Sequence, residues 1–324
     1  MRMRVLLTGA AGFIGYHSAQ ALLAEGHEVV GVDNLNDYYD VELKKARLNR
    51  LKKNKGFRFF QLDTAKEGAL ETALGSTKIT HILNLAAQAG VRYSLENPRA
   101  YVSSNVMGHL NVLEYARHLD GLEHVAYASS SSVYGEREGG PFSESDVVRR
   151  PASLYAATKL GGEMLSESYA QLYKIPQTGL RFFTVYGPWG RPDMAYFIFT
   201  KKILTGEPIT LYAPDIMSRD FTYVDDIVSI LPRLLASPPS GEALHKIYNL
   251  GNSRPNRLMD LVGAVEAACG IKAKSFIKEQ QKGDVTSTYA DIRAAKRDFG
   301  FEPKVSLQKG ILNFVDWYRK FYNL

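Results

Sequence analysis

The chain has 324 residues, of which 45% are hydrophobic and 23% are charged, a composition typical of a globular protein with room for two domains. Its net charge of +6 is modest, and the densest basic stretch, residues 42–59, has the helical spacing of a solvated helix face. No apolar run reaches the roughly 18 residues of a membrane span, and a single cysteine, Cys269, excludes an intrachain disulfide and favours the reducing cytoplasm.

The first half of the chain alternates short apolar runs with helical patterns. Predicted strands are "RVLLTG", "EVVGVD", "FRFFQLD", "HILNLAA" and "HVAYASS", and the last helix between them is the long pattern "NPRAYVSSNVMGHLNVLEYARHL". Runs that are apolar without alternation are typical of strands buried on both faces. The repeated order predicts an α/β fold of the Rossmann type, a doubly wound parallel sheet.

After residue 181 the alternation loosens. Turn residues in "VYGPWGRPDM" are followed by a helix and a strand in "FIFTKKILTGEPITLY", a strand and helix in "RDFTYVDDIVSILPRLLAS", and an amphipathic helix at the end of the chain. We expect residues 1–181 and about 221–252 to form the sheet domain. Residues of about 182–220 and 253–324 are expected to form a smaller, interleaved domain.

Three glycines in "VLLTGAAGFIG" lie between the first predicted strand and helix. Glycine at positions 9, 12 and 15 permits a tight turn and close approach to a pyrophosphate, and the helix aims its N-terminal amides at that phosphate. Asp33 ends the next strand, where a carboxylate accepts bonds from ribose hydroxyls and repels a 2′-phosphate. No arginine follows it in "VDNLNDYYD", so we expect NAD rather than NADP. Asp63 is either an adenine contact or a turn residue.

A tyrosine and a lysine stand four residues apart in "SLYAATKLGGE", at Tyr155 and Lys159. On a helix this spacing puts both side chains on one face. A tyrosine has a pKa near 10 and is a poor base at neutral pH, but a neighbouring ammonium favours the phenolate. The pair therefore predicts a general base downstream of a dinucleotide site.

The glycine spacing, the serine run before "VYG" and the Y-x-x-x-K pattern together resemble the extended short-chain dehydrogenase/reductase family. The stretches "RFFTVYGPWGRPDM" and "RDFTYVDDI" are similar to its nucleotide-sugar-binding part, which places that role in the smaller domain. Within the family, "NLAAQAGVRYSLENP" and "DNLNDYYDVELKKARL" look most like UDP-glucuronate 4-epimerases.

This resemblance implies NAD-dependent epimerisation of a UDP-sugar at C4, through a transient 4-keto sugar. Tyr155 is expected to take the proton of the 4-hydroxyl and later return it, Lys159 to hold the nicotinamide ribose, and Ser130 to orient the hydroxyl. The resemblance also places cofactor contacts at Phe13, Ile14, Asn34, Leu85, Ala86 and Ala87.

The serine run also argues about the substrate. Relatives that dehydrate or decarboxylate sugar nucleotides tend to have an acid just before "VYG", where this chain has Ser131 and Ser132. Once C4 is oxidised, a carboxylate at C5 is prone to loss as CO₂, so an epimerase must hold it with its C5 bond away from the carbonyl π system. Ser131, Ser132 and Thr184 are candidates for this clamp; alternatively, the serines cap the next turn.

The diphosphate or the carboxylate is expected to bind arginine, because guanidinium makes bidentate bonds to either. Arg191, Arg219 and Arg92 are the candidates, with a surface ion pair as the alternative for Arg92. Relatives of this fold commonly pair through two long helices, so a homodimer is expected. We expect no nucleic acid, membrane or metal partner.

Three other functions stay open at this point. A UDP-glucose 4-epimerase uses the same machinery on an uncharged sugar, and a UDP-glucuronate decarboxylase or a sugar-nucleotide dehydratase uses the same fold. The third is an NAD-sensing or scaffold protein, against which the intact pair of Tyr155 and Lys159 argues.

Overall fold

The computed structural model describes residues 2–137, 139–280 and 285–324. The chain forms two compact units. Unit 1 comprises Met1–Gly135, Val147–Phe182 and Val228–Tyr248, and unit 2 comprises Glu136–Asp146, Phe183–Ile227 and Asn249–Leu324. Which unit binds which ligand stays a prediction.

A seven-stranded sheet is the main element of unit 1. Its strands are β1 (Arg4–Thr8), β2 (Glu28–Asp33), β3 (Phe57–Gln61), β4 (His81–Asn84), β5 (His124–Ser130), β6 (Gln177–Phe182) and β10 (His245–Leu250). They lie in the order β10-β6-β5-β4-β1-β2-β3, and β1 to β6 pair in parallel. The predicted Rossmann-type sheet is confirmed, and buried apolar side chains such as Leu6, Val30, Ile82, Val112 and Val125 form its core.

Helices follow the strands of unit 1. They are α1 (Phe13–Ala24), α2 (Val41–Leu51), α3 (Ala69–Leu74), α4 (Tyr93–Glu96), α5 (Pro98–Tyr101), α6 (Gly108–Arg117), α7 (Leu154–Tyr173) and α10 (Leu231–Leu235). Asp40 caps α2 and Ser153 caps α7, each by accepting a backbone N–H. The single long helix expected after β4 is instead α5, a π-helix at Val102–Met107 and α6. A π-turn admits an extra residue, which hydrophobic periodicity does not reveal.

Unit 2 contains two small sheets. The strands β7 (Thr184–Tyr186), β9 (Ser218–Tyr223) and β11 (Pro255–Arg257) form one, and β8 (Ile209–Tyr212) and β12 (Ser275–Lys278) form the other. Its helices are α8 (Ala195–Leu204), α9 (Val224–Val228), α11 (Leu258–Cys269), α12 (Arg293–Phe299) and α13 (Leu307–Tyr322). The amphipathic α13 packs through Phe314 onto Tyr196 and Phe197, with ring centroids 4.7 and 5.5 Å apart. Across the three described ranges, no helix has the length and apolar character needed to cross a bilayer.

Candidate functional site

The carboxyl ends of the parallel strands meet at one edge of the sheet. Strand β1 lies between β2 and β4. From β1 the chain therefore builds the sheet outward through β2 and β3, and then crosses back to place β4 on the other side of β1. In open α/β sheets this point of reversed strand order is where ligands bind. The glycine loop follows β1 there, and residues 85–87 follow β4.

The glycine loop lies against the loop after β4. Gly9 has φ +67°, and a Cβ built on it would stand 2.9 Å from the Ala86 nitrogen. At Gly15 a Cβ would stand 2.0 Å from the Gly9 carbonyl oxygen, so the first turn of α1 also needs glycine. The Gly12 amide closes the turn by donating to that same oxygen at 2.9 Å. Glycine at these positions therefore lets the loop pack closely against the loop after β4 and against the start of α1.

The start of α1 and the end of β2 suit a dinucleotide. Among the described residues no side chain caps α1 at Gly12, which leaves its first amides and dipole for an anion. The Asp33 carboxylate accepts from the amides of Leu35 (2.8 Å) and Ala11 (3.0 Å), and burial raises its pKa while those amides oppose the shift. The pyrophosphate and ribose of NAD fit these residues.

Two cations beside Asp33 differ from the expectation of a solvated basic helix. Lys44 and Arg47 are only 5% and 0% exposed, and both lie close enough to Asp33 to favour its ionised form. The Lys44 ammonium donates to the Asn36 carbonyl at 2.6 Å, and Arg47 donates to the Ala11 carbonyl at 2.8 Å. Their burial could have been inferred from neighbouring leucines that share the inner face of α2.

The remaining cofactor candidates lie around the same edge. Phe13 is buried at the start of α1, whereas Ile14 and residues 85–87 are half-buried. The side chain of Asn34 accepts from the Asn36 amide at 3.1 Å, and that of Asp63 accepts from the Ala65 amide at 2.9 Å. The bond of Asp63 is the turn role weighed above, and the cofactor roles of these residues stay predictions.

Helix α7 carries both predicted catalytic side chains. Tyr155 is half-buried with its ring 6.0 Å from that of Tyr101, in an edge-to-face arrangement. The Lys159 ammonium is buried and donates to the Ala128 carbonyl at 2.9 Å. Burial lowers the pKa of Lys159 to about 8, while Glu163 acts in the opposite direction. Lys159 is thus a buried cation with a lowered pKa, which is typical of a functional site.

The serine run connects β5 to a short 3₁₀ helix. Ser130 ends the strand, and its hydroxyl oxygen accepts from the Ser132 amide at 3.2 Å and from the Ser132 hydroxyl at 3.0 Å. Ser130 is therefore the residue that caps this turn, rather than Ser131 or Ser132. Ser131 and Ser132 are half-buried at the start of the 3₁₀ helix.

A buried polar chain that the sequence did not reveal runs from β1 to α7. The Thr8 hydroxyl accepts from the Ala86 amide at 2.9 Å and donates to the Asn84 side chain at 2.5 Å. Asn84 contacts one ring nitrogen of His109 at 2.8 Å, and the other ring nitrogen contacts Ser166 at 2.8 Å. Burial lowers the pKa of His109 to about 3, so the ring stays neutral. These hydrogen bonds tie the glycine-loop edge to α7.

The π-helix supplies a second unpredicted link. Asn105 is buried within it, accepts from the Gln88 amide at 2.8 Å, and donates to the Gln88 carbonyl and the Thr158 hydroxyl, each at 3.0 Å. It therefore fixes the loop after β4 against the residue that precedes Lys159. A lone buried asparagine has no motif by which sequence reasoning finds it.

The predicted substrate residues are distributed over both units. Arg92 is exposed in unit 1 at the start of α4. In unit 2, Thr184 is half-buried at the start of β7, and Arg191 makes a bidentate pair with Asp193 at 3.0 and 2.5 Å. Arg219 donates to the carbonyl of Ser218 at 2.8 Å. Their roles toward a substrate stay predictions.

Comparison with known proteins agrees with this site. Residues 5–251 match the NAD dependent epimerase/dehydratase family. A probable UDP-glucuronate 4-epimerase from Rhizobium meliloti is 45% identical over 99% of this chain and 98% of its own length. The crystal structure of UDP-glucuronic acid 4-epimerase from Bacillus cereus, in complex with UDP-glucuronic acid and NAD, has a TM-score of 0.92 at 34% identity, covering 99% of this chain and 100% of that one.

A UDP-glucose 4-epimerase from Thermotoga maritima, with UDP-glucose, also matches, with a TM-score of 0.88 at 31% identity over 99% of this chain and 100% of its own. The fold and the glycine-loop site define a Rossmann-type enzyme that uses NAD. The chain belongs to the NAD-dependent epimerase/dehydratase family. The family and the cofactor expected from the sequence are confirmed, while the fold alone does not distinguish between the sugars.

Proposed function

We propose that this protein converts UDP-glucuronate into UDP-galacturonate by NAD-dependent epimerisation at C4. The observation that carries the proposal is the position of Tyr155 and Lys159 on α7, with the Lys159 ammonium bonded to the strand that ends in the acid-free serine run. The similarity to relatives named UDP-glucuronate 4-epimerases over nearly the whole chain supports the choice of sugar.

When bound at the glycine loop, NAD supplies the hydride acceptor and donor for the sugar C4. Tyr155, as the phenolate, takes the proton from the 4-hydroxyl. It returns the proton after the 4-keto sugar has rotated to present its other face. The Lys159 ammonium lowers the pKa of Tyr155 and donates to the nicotinamide ribose. The Ser130 hydroxyl bonds the 4-hydroxyl, and Asp33 holds the adenosine ribose.

The hydroxyls of Ser131, Ser132 and Thr184 hold the substrate carboxylate so that its C5 bond stays out of line with the 4-keto π system. Neutral donors suit this role, because they bind the carboxylate without placing an acid beside the breaking bond. Arg191, Arg219 and Arg92 bind the diphosphate or the carboxylate of the substrate. Arg191 must exchange Asp193 for the oxygens of that group.

Product analysis tests the proposal. Purified protein is incubated with UDP-glucuronate and, in parallel, with UDP-glucose, and the products are separated by chromatography. UDP-galacturonate without CO₂ is expected. Release of CO₂ with a pentose product would make the protein a decarboxylase, and conversion of UDP-glucose alone would make it an epimerase of neutral sugars.

The protein is further proposed to be a cytoplasmic homodimer. Exposed apolar side chains mark the helices expected to pair: Met107 on the π-helix is 44% exposed, and Met164 and Leu172 on α7 are 57% and 68% exposed. Cys269 is a free, buried thiol, in keeping with a reducing compartment. Light scattering of the purified protein checks the dimer, and cell fractionation checks the location.

A further inference from the structure

A third side chain continues the catalytic face of α7. Glu163 lies one helical turn after Lys159, as Lys159 lies one turn after Tyr155. Its carboxylate is 0% exposed and receives two bonds from the Arg181 guanidinium, at 2.9 and 2.8 Å, and one from the Ser129 hydroxyl at 2.5 Å. Neither the proposed chemistry nor the cofactor site accounts for this buried ion pair.

Glu163 and Lys159 bind consecutive residues of β5. The Lys159 ammonium donates to the carbonyl of Ala128, and the next residue, Ser129, donates its hydroxyl to Glu163. Ser130, the proposed catalytic hydroxyl, follows directly and ends the strand. Two adjacent turns of α7 are therefore fastened to the two residues that precede Ser130, which fixes the distance between the helix and the strand end.

Stability alone does not explain why this ion pair is buried. Burying two charges costs about as much free energy as their attraction returns, and an apolar pair of similar volume is often as stable. Here the Arg181 guanidinium also lies over the Tyr134 ring, 4.7 Å from its centroid. Tyr134 ends the 3₁₀ helix that begins with Ser131, so the pair joins both sides of the serine run.

The carboxylate also balances the charge of Lys159. Lys159 and Glu163 are surrounded by other titratable groups from several elements. These are Tyr155 and Glu167 on α7, His109 on α6, Tyr127 on β5, Tyr134 on the 3₁₀ helix, Arg181 on β6 and His245 on β10. His109 is neutral because burial lowers its pKa to about 3. Glu163 is the carboxylate whose charge acts on Lys159 and opposes the effect of its burial.

We propose that Glu163 is a positioning residue that holds the strand end bearing Ser130 against α7 and supplies the negative charge that keeps Lys159 protonated, with Arg181 as its counter-ion. The inference rests on the proposed function of Tyr155 and Lys159. It assigns to Glu163 no contact with substrate or cofactor. Its effect on catalysis passes through the protonation of Lys159 and hence of Tyr155.

The test is the pH dependence of kcat in Glu163→Gln. Without the carboxylate, Lys159 loses its proton at lower pH and no longer lowers the pKa of Tyr155. We expect kcat at pH 7 to fall about tenfold and the acid limb of the profile to move about one unit to higher pH. Glu163→Asp keeps the charge and should keep the limb in place. Calorimetry of NAD binding without substrate checks that the cofactor site is retained.

Two further variants separate charge from folding. Glu163→Gln combined with Arg181→Met removes the unpaired arginine, so its stability should recover. Its limb should move in the same direction as in Glu163→Gln but by less, because a cation is removed together with the carboxylate. Glu167→Gln is the matched control, because Glu167 lies one turn further along α7 in a half-exposed pair with His245. It should leave the limb where it is in the wild type.

An unshifted limb in the folded double variant would overturn the role of Glu163, as would a loss of kcat by the same factor at every pH. Failure of the proposed function is recognised separately, from the products of the wild-type protein. If the wild type converts a different UDP-sugar, the profiles are recorded with that sugar, and the position of the limb still decides the role of Glu163.

Discussion

The predicted site has a cofactor end, formed by the glycine loop and Asp33, and a catalytic end, formed by α7 and the end of β5. The two ends are built from different parts of the chain. At the cofactor end most contacts involve the main chain: glycines bring loops together, and Asp33 is held by two backbone amides. At the catalytic end, buried side chains from separate elements hold one another, as Glu163 does with Arg181 and Ser129. Backbone sites tolerate change in most side chains but not in glycine, whereas side-chain networks respond to the loss of a single charge or hydroxyl.

The largest expected effect is at the catalytic end. Tyr155→Phe removes the proposed proton carrier, so kcat should fall about 10³-fold while NAD affinity, measured by calorimetry, stays within a few-fold of the wild type. Such a result separates the two ends, because the cofactor end is untouched. Activity within tenfold of the wild type would mean that another group moves the proton.

The cofactor end is best broken at Gly15. In Gly15→Ala the new Cβ would meet the Gly9 carbonyl oxygen at 2.0 Å, so the loop must shift, at a cost of about 1–3 kcal/mol in the free energy of unfolding and a tenfold or greater loss of NAD affinity. Gly161→Ala is the control, because a Cβ at this α7 position meets nothing within 4 Å. Equal behaviour of both variants in thermal unfolding and NAD titration would contradict the close packing of the loop.

The hydrogen bonds of His109 to Asn84 and Ser166 link the two ends, and the pH dependence of stability tests this link. The pKa of His109 is about 3 in the folded protein, whereas that of an unperturbed histidine, as in the unfolded chain, is 6.5. Between these pH values the unfolded chain binds one more proton than the folded protein, so the free energy of unfolding falls as the pH falls. At pH 5 the cost is about 2 kcal/mol. His109→Gln should lose about that much less than the wild type between pH 7.5 and pH 5 in urea unfolding. His118→Gln, which alters an exposed histidine at the end of α6, should lose as much as the wild type.

The smallest effect concerns the substrate carboxylate. Ser132→Ala and Thr184→Val each remove one hydroxyl, worth about 1 kcal/mol, so the KM for UDP-glucuronate should rise about fivefold and some CO₂ should be released. Ser145→Ala, at an exposed serine, should change neither. If both variants epimerise UDP-glucuronate with normal KM and without CO₂, these hydroxyls do not form the clamp.

The same contrast explains what the sequence predicts. Gly9 directly follows β1 and Asp33 is the last residue of β2, so short-range motifs locate them. Tyr155 and Lys159 are four residues apart on one helix. Glu163 and Arg181 meet only because β6 pairs with β5 beneath α7. Likewise, Asn84 and His109 come together through packing of α6 onto the sheet. Pairing between distant segments carries no local signal, and these residues become visible only in the structure.

For Lys44 and Arg47 the prediction from the sequence, a solvated helix face, was wrong. Their charges and spacing are typical of a solvated helix, yet both are buried beside Asp33. Composition gives the sign of a charge but not whether a neighbouring carboxylate and carbonyls compensate for its burial.

The π-helix at Val102–Met107 constrains the number of residues in this segment. Removing one residue from it would restore regular α-helical bonding, which on local grounds is an improvement. It would also rotate everything after it by about 100°, and His109 would turn away from Asn84 and Ser166. Insertions and deletions are therefore costly in this segment even where substitutions are tolerated, and relatives of this protein are expected to differ here in residue type but not in residue number.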